Sequence, residues 1–446
     1  ETSGVFGYIF DDFGNNFLVN DPRGEIPSRF MIEFITNSEQ GIVTCAERAN
    51  HNLTDGDYVK FEEVSGMTEL NGNSYKITVI DAFRFKIDCD TTKFHPYKLV
   101  GSGGYGNQII PPKTLNFTTF EEQLKDPQIV DSDYCNFGRD RKVLLGFFAI
   151  HKYMDANNGK YPTLSNVKEV ISMANKVNFA TNSDVDEELI SLLVSEYGAV
   201  ISPMAAIFGG IVGQEVLKSL SGKFLPIVQF FALGYIESLP PDTTYTLKND
   251  RYDNYRIVFG DAQQERMTTL KYFLIGAGAI GCEILKNWAM MGVSTQNEGL
   301  ITVTDMDRIE KSNLARQFLF RDKDIGKNKS EVACQVITGM NKNVKTVAYT
   351  KPLEEKTRDF YNDIFYLSLD GVCNALDNIQ SRLFSDKMCV YYRKPLLESG
   401  TLGAKANFQM VVPGLTESYA SSADPPEKTI PQCTLHNFPS NIDHCC

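Results

Sequence analysis

The sequence predicts a chain of several domains in which an all-β region and a helical bundle precede a mostly parallel α/β sheet. Three observations carry this. Short bursts of β-forming residues separated by turn chemistry fill about the first hundred positions, apolar residues at three- and four-residue spacing follow, and from Lys271 strand and helix patterns alternate. At 446 residues the chain is about three times a ~150-residue domain, so about two to four domains are expected. Apolar residues at 42% and charged residues at 22% exclude collagen-like, coiled-coil and wholly disordered chains.

The β-formers run through Tyr8–Phe10, Met31–Ile35, Ile42–Thr44, Tyr58–Val64 and Tyr75–Asp90, parted by turn chemistry at Asn20–Gly24, Asp55-Gly56 and Asn71–Asn73. This predicts a small barrel or sandwich, with a boundary near Gly101–Gly106 and Pro111-Pro112. Leu144–Tyr153, Leu164–Val177 and Val185–Tyr197 then read as bundle helices, with Thr163 or Ser165 and Ser183 or Asp184 as N-caps. Ala199–Leu220 is apolar and rich in small residues; with Pro203 in its first turn and Ser221-Gly222 as a stop, it reads as a buried helix. The parallel sheet runs from Lys271 to about Val412, and the polar, Pro-rich residues 416–432 read as a connecting segment. No repeat of fixed period stands out.

A net charge of −12 argues against general affinity for nucleic-acid phosphate or anionic lipid, though a local basic site stays open. The longest apolar stretches, such as Met204–Val212, fall short of the ~18 residues of a spanning helix. The first residues lack the pattern of a secretory signal. Both ends, at Glu1 and Cys445-Cys446, read as cut, so a fragment is expected. Ten cysteines without a CxxC pair, beside five histidines in no ligand pattern, argue against structural zinc and a disulfide framework and favour a reducing compartment.

Lys271–Ile275 reads as a buried strand leading into Gly276-Ala-Gly278-Ala279-Ile-Gly281, with Cys282–Met291 continuing as a helix. Glycines permit the tight turn, and the free N–H groups and partial positive charge of a helix N-terminus suit a ligand phosphate. A second strand, Leu300–Thr304, ends in Asp305, roughly 20 residues past the glycines, where an acid accepts ribose hydroxyls. The glycines alone also fit a strand-helix turn in a core; strand, helix and acid together favour an adenine nucleotide in a Rossmann-like sheet.

Asn313, Arg316, Gln317 and Lys329 follow in one polar stretch. A dinucleotide oxidoreductase requires little beyond the ribose acid, whereas guanidinium and ammonium groups serve a triphosphate whose charge moves onto leaving pyrophosphate. Asp377, followed by Asn378, ends the apolar run that begins at Gly371, in place to bind Mg²⁺ beside those phosphates. Taken singly, each basic residue reads as a solvated helix face and Asp377 as a turn or cap.

At these residues the sequence resembles the ubiquitin-activating enzymes, relatives of bacterial adenylyltransferases of the molybdopterin and thiamine pathways. The matching text includes Gly276–Glu283, Thr304–Asp307, Ile309–Arg321, Ala375–Asn378, Tyr392–Gly403 and Pro431–Pro439, and the resemblance covers essentially the whole chain. It implies an α/β adenylation fold: residues 1–104 as the first catalytic-cysteine half-domain, 105–197 as a four-helix bundle, 198–248 as the close of an inactive adenylation domain, 249–430 as the active one and 431–446 as the start of the second cysteine half-domain. It implies ATP and Mg²⁺ as cofactors, ubiquitin and ubiquitin-conjugating enzymes as partners, no nucleic acid or membrane, and a cytoplasmic and nuclear location. Gly276, Gly278, Ala279 and Gly281 become the nucleotide contact and Asp305 the ribose ligand. Arg316 and Lys329 become phosphate ligands with Asn313 and Gln317 nearby, and Asp377 the Mg²⁺ ligand beside Asn378. Ala315 stands where the family commonly has Asn, and the family's first adenylation half, with any arginine it supplies, would precede Glu1.

Cys433 by itself is one cysteine among ten and reads as a structural thiol; His436 and His444, close in sequence, fix no Cys-His geometry. In the resemblance Ile430–Leu435 is the position of the thioester-forming cysteine, and His436 stands where the family often has Lys or Arg. Cys282, Cys334, Cys373 and Cys389 read as packing residues. The implied chemistry is adenylation of the ubiquitin C-terminal carboxylate, then a thioester on Cys433 for transfer to a conjugating enzyme, with the fragment impaired in the later steps. Two other classes remain: an NAD-dependent oxidoreductase, separable by titration with NADH and MgATP, and a catalytically silent nucleotide- or ubiquitin-binding fragment, separable by turnover.

Overall fold

Arg29–Ile35, Ile42–Cys45, Arg84–Ile87, Ser74–Asp81, Tyr58–Glu62 and Tyr105–Ile109 hydrogen-bond in that order and close into a barrel. Alternate side chains face inward, so Ile32, Val43, Val59, Phe61, Ile77, Phe85 and Ile87 fill its core. This is a computed structural model; it describes residues 1–46, 50–177, 185–402 and 405–421. The chain divides into two units, Glu1–Pro241, which holds the barrel, and Asp242–Cys446.

The barrel's bounds differ from the expected ones. Tyr105–Ile109 lies antiparallel to both Arg29–Ile35 and Tyr58–Glu62, so the β region runs past 104. Phe6–Phe10 is not a barrel strand: it pairs antiparallel with Phe230–Gly234, which also pairs parallel with Ile129–Val130. Aromatic packing explains the choice, since Tyr8 meets Phe147 at 5.2 Å and Phe10 meets Phe230 at 4.8 Å between ring centroids.

Helices Arg139–Ala156, Val167–Val177 and Glu187–Glu196 pack on one another, preceded by the single turn Phe120–Gln123. Thr163 forms a capping box with Asn166, as expected, whereas Asp186 caps Glu187–Glu196 through Leu189 N; Ser183 and Asp184 lie outside the described residues. Ser202–Ser221 forms, stopped by Gly222 in the left-handed region, but it is not the buried helix expected. Met204, Phe208 and Glu215 face inward while Ile207, Val212, Val216, Leu217 and Leu220 are exposed. Apolar composition gave no direction to this helix, because a residue set that is apolar all round has no polar face to mark the outside.

In the second unit six strands stand in the order Thr346–Tyr349, Leu300–Thr304, Lys271–Ile275, Gly371–Asn374, Leu396–Leu402 and Lys405–Val411, all parallel except the last. Both faces are covered. Leu274, Ile301 and Val303 pack against Cys282, Leu285 and Trp288 of helix Ala279–Met291 and Val332, Ala333 and Ile337 of helix Lys329–Met340. Phe273, Ile275, Val372 and Leu396 pack on the other side with Tyr361, Tyr366, Met388 and Cys389. Burial on both sides is why Lys271–Ile275 reads as a continuous apolar run. The chain lays Leu300–Thr304 and Thr346–Tyr349 on one side of it and then crosses to Gly371–Asn374 and Leu396–Leu402 on the other, so its carboxyl end is the switch point where open α/β sheets bind ligands. Among the described residues no helix is long and apolar enough to cross a membrane.

Candidate active site

The predicted glycine turn sits at that switch point. Gly276 N donates to Thr304 O on one neighbouring strand, and Ala375 N, just past the other, donates to Ile275 O, both at 2.8 Å. Two of the three glycines answer to packing. Gly276 has φ +97°, and a Cβ there would lie 2.3 Å from Ala375 O; a Cβ on Gly281 would lie 2.3 Å from Gly276 O. Gly278 differs, because the nearest protein atom to a Cβ there is Gln317 Nε2 at an ordinary 3.8 Å. Gly278 is also the N-cap of helix Ala279–Met291, and among the described residues no side chain caps that end. The first N–H groups of the helix therefore face the carboxyl edge of the sheet with capacity for an anion.

Asp305 lies beside this turn. Its Oδ2 accepts from Ala277 N at 2.7 Å and its Oδ1 from Asp307 N at 2.8 Å. Burial pushes its carboxyl above the ordinary value, although those two bonds and the Lys329 charge pull it down. Lys329 opens helix Lys329–Met340, is buried, and donates through Nζ to Asp307 Oδ2 at 2.8 Å. Asn313 Oδ1 accepts from Glu310 N at 2.9 Å and caps the turn Lys311–Ala315, whose end presents Arg316 and Gln317. Arg316 is exposed, with Nη1 on Ser312 O at 3.3 Å. Gln317 is buried, yet among the described residues nothing hydrogen-bonds its Oε1. Asp377 is exposed on the loop after Gly371–Asn374, and Asn378 caps helix Ile379–Tyr392 through Ser381 N at 2.8 Å.

Gly276, Gly278, Ala279, Gly281 and Asp305 thus gather at one strand end, with Lys329 held against the acid two residues beyond Asp305. Cys433 and His436 lie outside the described residues. Cys282, Cys334, Cys373 and Cys389 are buried in the two cores, where burial pushes their thiols up to about 12, 11, 12 and 12.

Residues 252–442 match the ThiF family, residues 38–109 the ubiquitin-activating enzyme E1 FCCH domain and residues 111–178 the ubiquitin-activating enzyme E1 four-helix bundle. Over 100% of its length the chain is 44% identical to ubiquitin-like modifier-activating enzyme 1 of Oryctolagus cuniculus, 47% to that of Dictyostelium discoideum and 44% to ubiquitin-activating enzyme E1 2 of Arabidopsis thaliana. The chain belongs to the ubiquitin-activating enzyme family. It spans 43%, 44% and 42% of the length of those three relatives. Among solved structures, that of E. coli MccB with ATP covers 41% of this chain and 53% of its own, at 25% identity and a TM-score of 0.35, too slight a likeness to argue from.

For a member of this family the fit of nucleotide and metal can be tested on the residues present. The open side of Gly278 and the uncapped start of helix Ala279–Met291 leave room and free N–H donors for a nucleotide phosphate, whereas the unpartnered Gln317 Oε1 is enclosed by protein. Among the described residues no cluster of three His, Cys, Asp or Glu could hold a metal. A lone Asp377 carboxylate still suits Mg²⁺, which keeps several waters and binds through one or two carboxylates plus substrate phosphates. Sequence reasoning missed Asp307 as the partner of Lys329, and it missed the buried Arg382–Glu398 pair behind Asp377. The Asp-x-Asp spacing at 305 and 307 was the available signal for the first.

Proposed function

We propose that this chain carries the adenylation centre of a ubiquitin-activating enzyme. The observation that supports this most is the convergence of Gly278, the open start of helix Ala279–Met291, Asp305 and the Asp307–Lys329 pair at one switch point. ATP and the C-terminal carboxylate of ubiquitin give an acyl-adenylate and pyrophosphate, because a carboxylate is a poor electrophile until its oxygen can leave as a phosphate ester. Asp305, oriented by Ala277 N and Asp307 N, accepts the ribose hydroxyls. The helix N–H groups, Lys329 and Arg316 meet the phosphates and stabilise the charge that moves onto the leaving pyrophosphate, with Asn313 and Gln317 shaping the turn that presents Arg316. Asp377, beside Asn378, would hold Mg²⁺, which would supply charge neutralisation at the phosphates. The Cys433 thiolate then attacks the acyl carbon, AMP leaves, and the thioester passes to a conjugating enzyme.

In this reading the barrel belongs to the first cysteine half-domain and the helices to the four-helix bundle. Phe6–Phe10, paired with Phe230–Gly234, joins residues 198–248 in the inactive adenylation domain. Residues 249–430 form the active domain, 431–446 open the second cysteine half-domain, and the enzyme works in cytoplasm and nucleus. Pyrophosphate exchange with the full-length protein tests the proposal: exchange of label into ATP that requires both ubiquitin and Mg²⁺ is expected, and exchange independent of ubiquitin overturns it.

A further inference from the structure

Behind the exposed Asp377 lies a buried ion pair. Arg382, in the first turn of helix Ile379–Tyr392, is 8% exposed; its Nη1 donates at 2.5 Å to Oε1 of Glu398, which is 2% exposed on strand Leu396–Leu402. Two charges this deep lose in desolvation much of what their attraction returns, so a hydrophobic pair would hold these elements together equally well. What a hydrophobic pair could not do is supplied by the second guanidinium nitrogen. Arg382 Nη2 donates to Leu376 O at 2.5 Å, and that carbonyl belongs to the peptide joining Leu376 to Asp377.

The clamp is itself held on every side. Glu398 Oε2 accepts from Asn374 Nδ2 at 2.5 Å, Asn374 Oδ1 accepts from Ser385 Oγ at 2.8 Å, and Asn374 O accepts from Ser399 Oγ at 2.9 Å. Gly400, two residues along the strand from Glu398 and on the same face, makes room for the guanidinium: a Cβ there would fall 2.6 Å from Nη1 and 2.7 Å from Nη2. The loop 375–378 is therefore fastened at Ala375 N, at Leu376 O and at Asn378 Oδ1, and Asp377 is the one side chain of the four that it presents as an exposed carboxylate.

We propose that Arg382 is a positioning residue: clamped by Glu398, it fixes the Leu376–Asp377 peptide and so aims the Asp377 carboxylate at the magnesium that accompanies ATP. The inference rests on the metal role assigned to Asp377 above. Outer-shell partners of this kind are worth about 10- to 100-fold in metal affinity. A planar fork is needed, because a lysine at 382 can face Glu398 with its ammonium but cannot also hold Leu376 O in the same geometry.

The test uses the full-length protein. ATP binding is titrated by calorimetry at graded Mg²⁺ and in EDTA for the native protein, Arg382→Lys and Asp377→Ala. Arg382→Lys is expected to raise the Mg²⁺ midpoint about tenfold while ATP affinity in EDTA and the melting temperature stay near native. The double variant Arg382→Gln with Glu398→Gln, which buries no charge, should move the midpoint in the same direction by a route that does not leave an unpaired ion in the core. A midpoint within twofold of native in a folded Arg382 variant, with Asp377→Ala shifted, overturns the positioning role. A midpoint unmoved in Asp377→Ala overturns the metal role and this inference with it.

Discussion

Asp305 and Asp307 are chemically alike and two residues apart, yet they do different work. Asp305 turns both oxygens to backbone N–H groups of its own loop and of the glycine turn, whereas Asp307 turns one oxygen to the Lys329 ammonium. On the proposed mechanism Lys329 and Arg316 meet the triphosphate and not the base. Lys329→Ala and Arg316→Ala should therefore slow ubiquitin-dependent pyrophosphate exchange by roughly 10²-fold while adenosine binding changes little; equal losses for exchange and adenosine would refute the assignment. A second residue carries a pH dependence. Glu196 is buried beneath the turn at Gly4, where it accepts from Val5 N at 2.9 Å; burial pushes its carboxyl up to about 7 from an ordinary 4.5, against the pull of that bond. Between those values the folded chain keeps a proton that the unfolded chain has released, so this carboxyl's contribution to stability falls as pH rises through the window and levels off above it. Glu196→Gln should flatten the thermal-denaturation profile, gaining on the order of 2 kcal/mol at about pH 8 and little at about pH 5. A profile as steep as the native one would show that Glu196 does not titrate there.

The glycine turn separates packing from binding. At Gly281 a Cβ meets the Gly276 carbonyl, a backbone atom that can move only by lifting the helix from the strand end. Gly281→Ala should cost about 2 kcal/mol or more in stability and abolish ATP binding through the fold. Gly278 has φ −76°, which alanine adopts, and no close neighbour. Gly278→Ala should melt within a degree or two of native and still lose ATP affinity by calorimetry, since the methyl occupies the approach of the phosphate; native affinity would show that the ligand lies elsewhere. Most elements of this unit were legible in the sequence because strand, turn and helix signals lie within a few residues of one another. The sequence does not mark Asp253–Thr269 as a helix: Gly260, at φ +76°, interrupts its pattern, and its buried residues include the polar Arg256 and Gln264. The sequence marks Ser202–Ser221 as a helix but not its burial, because small and apolar residues on every side leave its orientation to its neighbours.

At the scale of the whole molecule the two proposed chemical steps call on different residues, which makes them separable. In the full-length protein Cys433→Ala should retain ubiquitin-dependent pyrophosphate exchange and lose the reductant-sensitive ubiquitin adduct on a non-reducing gel, while Cys282→Ala and Cys389→Ala should lose neither beyond the effect of altered packing. An adduct that persists in Cys433→Ala would assign the nucleophile to another thiol. By itself the sequence determined the order of fold types along the chain, the glycine turn with its strand, helix and acid, and the polar stretch on which the proposed triphosphate site rests. All of these are written in residues close along the chain, where backbone preference and side-chain period decide the outcome. Tertiary structure alone decided that Phe6–Phe10 pairs with Phe230–Gly234, that Lys329 is held by Asp307, and that Arg382 and Glu398 clamp the loop bearing Asp377. Each of those joins separate elements, and its free energy depends on burial and on partners that exist only once the sheet has assembled, so no local pattern records it.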